Sequence, residues 1–424
     1  MNTYSSYKDS GVDWIGNIPS DWEVVRNKYL FDVTKNVVGE ESDKYQLLSL
    51  TKRGVVLRDI ESGKGKFPES FDTYQTVDKG DLIFCLYDID ETPRTIGISN
   101  YSGMITGSYK VVKCNTLTDP KFIYYNYLSI DDVKGLRPYY TGLRKVVRTE
   151  TFLNLNVRVP SLQEQQQISD YLDYKTLKID TLIKKTQQKI ELLKEQRISL
   201  INTTVTKGLN PNVEMKDSGI EWIGEIPSGW NVTKLKYTCN ITYGISPPDT
   251  TYNDKGRGEI LINGPVEYSK EDFGYTRSTK WTTDPKKFTE KGSLLFCLRG
   301  STTGRMNITH DYVSIGRGVC SIISKESQWF MIYSMFIVRD YIQGEITGST
   351  FPSVTKDDVD NYFICTPPQQ EQQQIVDYLD KETTKIDKLI DTETKRINLL
   401  KEYRQSLVSD IVTGKVDVRD EVLV

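Results

Sequence analysis

A single histidine, His310, stands among the 424 residues, and that sets the first limit on chemistry. A Ser-His-Asp triad would have to be built around it, and a histidine-rich zinc site cannot be assembled. Its polar surroundings, Asn307–Asp311, suggest a surface or hydrogen-bonded side chain rather than a catalyst. The six cysteines are Cys85, Cys114, Cys239, Cys297, Cys320 and Cys365. No two sit at C-x-x-C spacing, so a metal knuckle is not expected. There is no G-x-x-x-x-G-K-[ST] phosphate loop and no G-x-G-x-x-G turn. Gly63–Gly65 and Gly256–Gly258 read as hairpin turns. The Asn- or Asp-Pro-Pro-aromatic signature of an adenine methyltransferase is missing, since Pro247–Pro248 lies between Ser246 and Asp249. Acid-x-Lys triplets such as Glu393–Lys395 read as a solvated helix face. No catalytic constellation emerges, and no metal or cofactor is expected in this chain.

The basic residues point elsewhere. Lys134, Arg137, Arg144, Lys145 and Arg148 cluster around Pro138–Gly142, a segment that contains Tyr139 and Tyr140. Arg94 follows an apolar run, and Arg299, Arg305 and Arg317 lie among Gly300, Gly304, Gly316 and Gly318. Thr347–Thr350 aligns with Thr141–Arg144, which adds Ser349 and Thr350. Arginines on glycine-rich loops can reach phosphates and read guanine edges with two hydrogen bonds. The tyrosines can pack on sugar or base. For any one arginine a solvated surface role competes equally, whereas the clustering favours contact with nucleic acid. Lys and Arg number 55 against 58 Asp and Glu, a net charge of −3. That excludes a strongly basic binder but leaves local patches.

These loops are carried by a duplicated chain. Lys8–Trp22, KDSGVDWIGNIPSDW, matches Lys216–Trp230, KDSGIEWIGEIPSGW, at 11 of 15 positions and an offset of 208. Glu164–Asp173 matches Glu371–Asp380 at 9 of 10 positions and an offset of 207. KGDLIFCL at Lys79–Leu86 answers KGSLLFCL at Lys291–Leu298. A period near 200 is too long for a solenoid and means paired homologous domains. Ser99–Phe152 and Asp311–Phe363 barely align. If drift alone were at work, the exposed helix face that opens EQQQI would erode too, so two surfaces of different specificity are expected.

Within each copy, short apolar runs read as strands: Tyr45–Leu50, Asp81–Leu86, Ile96–Ser99 and Tyr109–Lys113, then Glu259–Ile262, Ser293–Leu298 and Gly318–Ile323. Phe122–Leu128 and Trp329–Tyr341 read as helices, which makes each globular part mixed α+β. After Pro160 and Pro368, Gly and Pro vanish for about 40 residues. Leu172, Thr176, Ile179, Ile183, Thr186, Ile190, Leu193, Arg197 and Leu200 form a heptad seam. Leu379, Thr383, Ile386, Ile390, Glu393, Ile397, Leu400, Arg404 and Leu407 repeat it, and Gly208 and Gly414 suit the helix ends. The matched seams are expected to pack on each other as antiparallel rods of roughly 60 Å. Two separate helices, each docked on its own domain, remain the alternative.

The doubled KDSGxxWIGxIPSxW, the paired KGDLIFCL and KGSLLFCL, the Thr-Gly turns, and VPSLQEQQQISDYLD with TPPQQEQQQIVDYLD resemble the specificity (S) subunit of a Type I restriction–modification system. The resemblance implies an α+β chain with two homologous target-recognition domains. Two long helices, packed as an antiparallel coiled coil with pseudo-twofold symmetry, would join them. The expected boundaries are 1–160, 161–208, 209–367, 368–414 and a tail, 415–424. The resemblance further implies a non-catalytic subunit on double-stranded DNA, with two methyltransferase (M) and two restriction/motor (R) subunits. S-adenosylmethionine, ATP and Mg2+ would belong to those partners. A tandem DNA-binding regulator and a coiled-coil scaffold are the competing classes. The polar start, Met1–Ser10, and the lack of any run near 18 apolar residues lead us to expect a soluble, cytoplasmic protein without a membrane span.

Overall fold

The computed structural model describes residues 2–33, 36–59, 70–142, 145–271, 273–300, 302–346 and 353–421. It divides into two compact units, residues 1–187 with 395–424, and residues 188–394. The division runs through both long helices, so each unit holds the start of its own helix and the end of the other.

In the first unit, the strand Tyr7–Asp9 pairs with Asn17–Pro19. Gly11 and Gly16 between them have φ of +69° and +67°, and Gly219 and Gly224 repeat this at +74° and +71°. This left-handed backbone explains why the duplicated motif spaces its glycines as it does. A four-stranded sheet follows in the order Phe31–Asp32, Lys110–Cys114, Leu82–Phe84, Ile96–Ile98. Helix α1 (Pro120–Asp132) covers it, capped by Asp119, whose carboxylate accepts from the Phe122 amide at 2.7 Å. Leu82 and Phe84 face α1, while Ile83 faces Leu48, Val55 and Val77. Burial on both faces is why this strand reads LIF without alternation. Helix α2 (Thr149–Leu153) leads to the strand Asn156–Val159, paired with Glu23–Arg26, and then to the long helix α3 (Leu162–Lys207).

The second unit repeats this plan. The single turn α4 (Leu235–Thr238) leads into a sheet ordered Cys239–Tyr243, Val319–Ser324, Leu294–Cys297, Met306–Ile308. Helix α5 (Gln328–Ile346) covers the sheet. After it come α6 (Lys356–Asn361), the strand Phe363–Thr366 and the second long helix α7 (Gln369–Val412). A smaller set of strands is also shared. Leu47 bridges Met104 in parallel, as Leu261 pairs with Ser314. What differs is the connection beyond it. Leu48–Thr51 turns directly into Gly54–Leu57, whereas residues 263–280 separate Glu259–Ile262 from Trp281–Thr282.

The heptad seam is observed. Every seam position is buried or half-buried, and most residues between are exposed. In the first unit Ile168, Leu172 and Ile179 pack with Leu407, Val408, Ile411 and Val412. In the second, Ile201 and Val205 pack with Ile375, Val376 and Leu379. Both pairings run antiparallel. Arg404 Nε donates to Asp180 at 2.9 Å, and its counterpart Arg197 donates to Asp387 at 3.0 Å. These two pairs exchange under the offset of 207, so the duplication is present in the ion pairs themselves.

Two expectations need correction. The start of the EQQQI segment is not an exposed face, because Glu164, Gln165 and Gln372 are buried. Glu164 Oε1 accepts from Trp22 Nε1 at 3.0 Å and from the Tyr4 hydroxyl at 2.7 Å. Glu371 accepts from Trp230 Nε1 at 2.9 Å. Gln165 and Gln372 donate to Pro160 O and Pro367 O at 3.0 and 2.9 Å. Buried hydrogen bonds therefore account for the similarity of the two copies. Glu393 is also buried rather than solvated, and its carboxylate pairs with Lys189 at 2.5 Å.

Trp22 and Trp230 are 0% and 1% exposed. Trp22→Phe is expected to leave Glu164 short of a donor and to destabilise the first unit by about 1–3 kcal/mol, with Trp230→Phe acting likewise on the second. Urea unfolding followed by circular dichroism checks this. Midpoints equal to the parent would contradict the framework role of the motif.

Candidate nucleic-acid interface

In the second unit, Tyr243, Gly244, Leu298, Arg299, Arg317, Val354, Thr355 and Lys356 line a shallow cleft of about 520 Å³. Arg299 leaves the end of the strand Leu294–Cys297 and bridges Ser353. Arg317 is the apex of a tight turn. A Cβ on Gly316 would lie 1.9 Å from Asn263 Oδ1, and one on Gly318 would lie 2.4 Å from Asn263 O. Only glycine fits on either side, so the Gly-Arg-Gly triplet projects its arginine from close backbone packing. Lys356 opens α6, with Nζ 5.1 Å from the centre of the Tyr243 ring. Arg299, Arg317 and Lys356 are exposed and make no ion pair among the described residues. The acids of α6 are engaged locally. Asp358 accepts from Thr355 N at 2.8 Å, and Asp360 accepts from the Tyr243 hydroxyl at 2.7 Å. Three free cations over a half-buried aromatic can neutralise phosphates and hydrogen-bond base edges.

The first unit places different residues at the same positions. Sheet register makes Tyr87 the counterpart of Arg299, and Tyr87 bridges Val146 as Arg299 bridges Ser353. Gly107 takes the place of Arg317. Tyr87 stacks on Tyr109 at 6.1 Å and 17°. Arg148 stands at the cap of α2 where Thr355 caps α6. Arg148 and Arg137 are exposed and without an ion pair among the described residues. The first unit thus places a tyrosine and a glycine where the second places two arginines. Sequence reasoning missed Tyr87 and Lys356, although Tyr87 could have been found by reading one residue past KGDLIFCL and KGSLLFCL.

The other sequence candidates are committed within the fold. Arg94 donates to Asp132 at 3.0 Å and Asp131 at 3.3 Å. The Tyr140 hydroxyl donates to Asp90 at 2.7 Å, and Lys145 pairs with Asp90 and Glu91 at 3.1 Å each. The Tyr140 hydrogen bond, and then Lys145, hold the Asp90 carboxyl down at about 2. Arg305 donates to the Ser269 carbonyl. Tyr139 packs against the first core. Arg144, Ser349 and Thr350 lie outside the described residues, as does the Gly63–Gly65 turn.

No constellation for chemistry appears elsewhere among the described residues. His310 Nδ1 and Nε2 are hydrogen-bonded to Thr276 at 2.8 Å and Ser278 at 2.7 Å. Burial pushes the Cys114 and Cys365 thiols up to about 12 and Cys239 to about 11, which disfavours the thiolate. Among the described residues, no group of three His, Cys, Asp or Glu could hold a metal, and no helix is long and apolar enough to cross a membrane.

The model of the family Type I restriction modification DNA specificity domain matches residues 19–192 and 227–402, once in each copy. Among curated proteins, the putative type I restriction enzyme MjaX specificity subunit of Methanocaldococcus jannaschii is 26% identical, covering 96% of each chain. The MjaVIII specificity subunit of the same organism is 23% identical over 95% of each. A chain from a structure described as the basis of complex assembly and conformational transition of the type I R-M system is similar, with a TM-score of 0.74. It is 19% identical, and the match covers 94% of this chain and 99% of that one. The HsdS subunit from Thermoanaerobacter tengcongensis has a TM-score of 0.55 at 19% identity, covering 94% and 98%.

Arg299→Ala and Arg317→Ala are each expected to weaken duplex binding. The cost should be about 1–3 kcal/mol with relaxed specificity if the side chain reads a base, and uniform across sequences if it meets phosphate. Arg94→Ala and Arg305→Ala should instead lower thermal stability. Anisotropy titrations and melting curves separate the two groups. Parent-like binding by the Arg299/Arg317 double variant would remove this cleft from the interface.

Proposed function

From the membership of this chain in the family of Type I restriction–modification specificity subunits, we propose that it reads a split, asymmetric site on duplex DNA, one half with each repeat. Residues 1–160 and 209–367 are the reading domains. Residues 161–208 and 368–414 form the helical spacer, and 415–424 is the tail. Arg148, Tyr87 and Arg137 serve the first half-site, and Arg299, Arg317 and Lys356 the second. Arg144, Ser349 and Thr350, which follow the Thr-Gly pairs in the sequence, are further candidates.

The observation that carries this reading is the contrast at matched positions, Tyr87 and Gly107 against Arg299 and Arg317. Two equal frameworks with equal clefts would read a palindrome. Two equal frameworks with unlike clefts read an asymmetric site. Direct readout depends on donor and acceptor pattern, so an arginine pair and a tyrosine with a glycine select different bases.

Catalysis belongs to partners in this proposal. Two methyltransferase subunits carrying S-adenosylmethionine dock on the chain, and two restriction/motor subunits add ATP- and Mg2+-dependent steps. The complex works in the cytoplasm, where the DNA is. Phosphate contacts by the free cations make binding salt-dependent despite the net charge of −3.

The test exchanges residues 22–160 for the equivalent segment of a relative with a different first domain. Methylated motifs are then mapped in a host supplying the methyltransferase subunit. One half-site should change while the other half-site and the spacer persist. A change in both halves would contradict separate reading.

A further inference from the structure

The first unit contains a cavity of about 400 Å³ that the DNA-reading role does not use. Its walls are largely apolar, with Ile130, Leu136, Pro138 and Leu155 among them. Arg158 on the strand Asn156–Val159 also lines it, and is 6% exposed. Arg158 makes no ion pair and donates no hydrogen bond among the described residues, and its Nε is buried without a partner. Trp14 lies over the guanidinium at 5.9 Å.

An uncompensated guanidinium in an apolar setting is costly, because water is lost and no carboxylate replaces it. Burial lowers the Arg158 pKa to about 10, so the group is still charged at neutral pH. Every other buried cation or acid discussed above has a local partner. The charge is not part of the shared framework either. Arg158 pairs with Val24, and the equivalent pair in the second unit is Cys365 with Val232. The second copy therefore holds the same strand together without the arginine.

The cavity has the size and apolar lining of a small-molecule site, with one deep cation to fix orientation. Tyr127, whose hydroxyl accepts from Asn27 Nδ2, also lines the cavity. We propose that this cavity binds a small carboxylate with an apolar or aromatic body. The carboxylate would pair with Arg158 and the body would lie against Leu136 and Trp14. A charge-assisted pair of this kind is stronger than a neutral hydrogen bond.

The test is calorimetric titration of the full chain with octanoate and phenylacetate, using octanol and benzyl alcohol as neutral controls. The carboxylates are expected to bind once per chain, at least about tenfold more tightly than the alcohols. Arg158→Met should abolish that preference. Ser409→Phe, which fills the cavity from α7 and keeps Arg158, should abolish binding if Arg158→Met does not fold. The proposal is overturned if neither carboxylate binds saturably, if the alcohols bind equally well, or if either folded variant binds like the parent.

Discussion

The structure depends on covering one narrow apolar stripe. A helix of 44 or 46 residues with Leu, Ile and Thr along a single seam gains little from propensity alone and must bury that seam. In each unit the start of one long helix is covered by the end of the other. Gly414 closes against Pro19 and Trp22, and Gly208 against Trp230. Both glycines have φ of +73°, and a Cβ on Gly414 would lie 2.4 Å from Pro19. Each long helix therefore ends against the last residues of a copy of the duplicated Trp motif. Tyr125 to Asp173 at 2.7 Å, and Tyr333 to Asp380 at 2.5 Å, tie α1 and α5 to the same helices. Each reading domain is thus locked to the seam by the same few bonds.

This arrangement separates what is repeated from what is free to differ. The framework bonds are buried, and the cost of leaving such donors and acceptors unpaired keeps the two copies alike. The clefts lie at strand ends and helix caps, where an exposed side chain can change with little effect on stability. Tyr87 and Arg299 occupy one backbone position with unlike chemistry. A chain with net charge of −3 can therefore present three free cations in one cleft.

Much of this was legible in the residues. The strands around Leu82, Ile96, Val111, Leu294 and Val319, the helices α1 and α5, and both long helices lie where run length, periodicity and punctuation put them. Local patterns carry that information. The partners of polar side chains were not legible, because the bonds span long separations. Trp22 reaches Glu164 across 142 residues, and Arg94 reaches Asp131 across 37. Without those distances, a buried Glu164 looks like a solvated helix start and a paired Arg94 looks like a free one. The match of Gly107 with Arg317 was hidden because the register there follows from sheet pairing, not from identity.

The central claim is that the seam sets the distance while the clefts set the sequence. Its most direct test is to insert one heptad at the matching points of both long helices, after Gln187 and after Thr394, and to map the methylated motif. Seven residues keep the seam in phase and add roughly 10 Å of helix. The account predicts a spacer longer by a few base pairs with both half-sites unchanged. Full activity with an unaltered spacer, or altered half-sites, would contradict it.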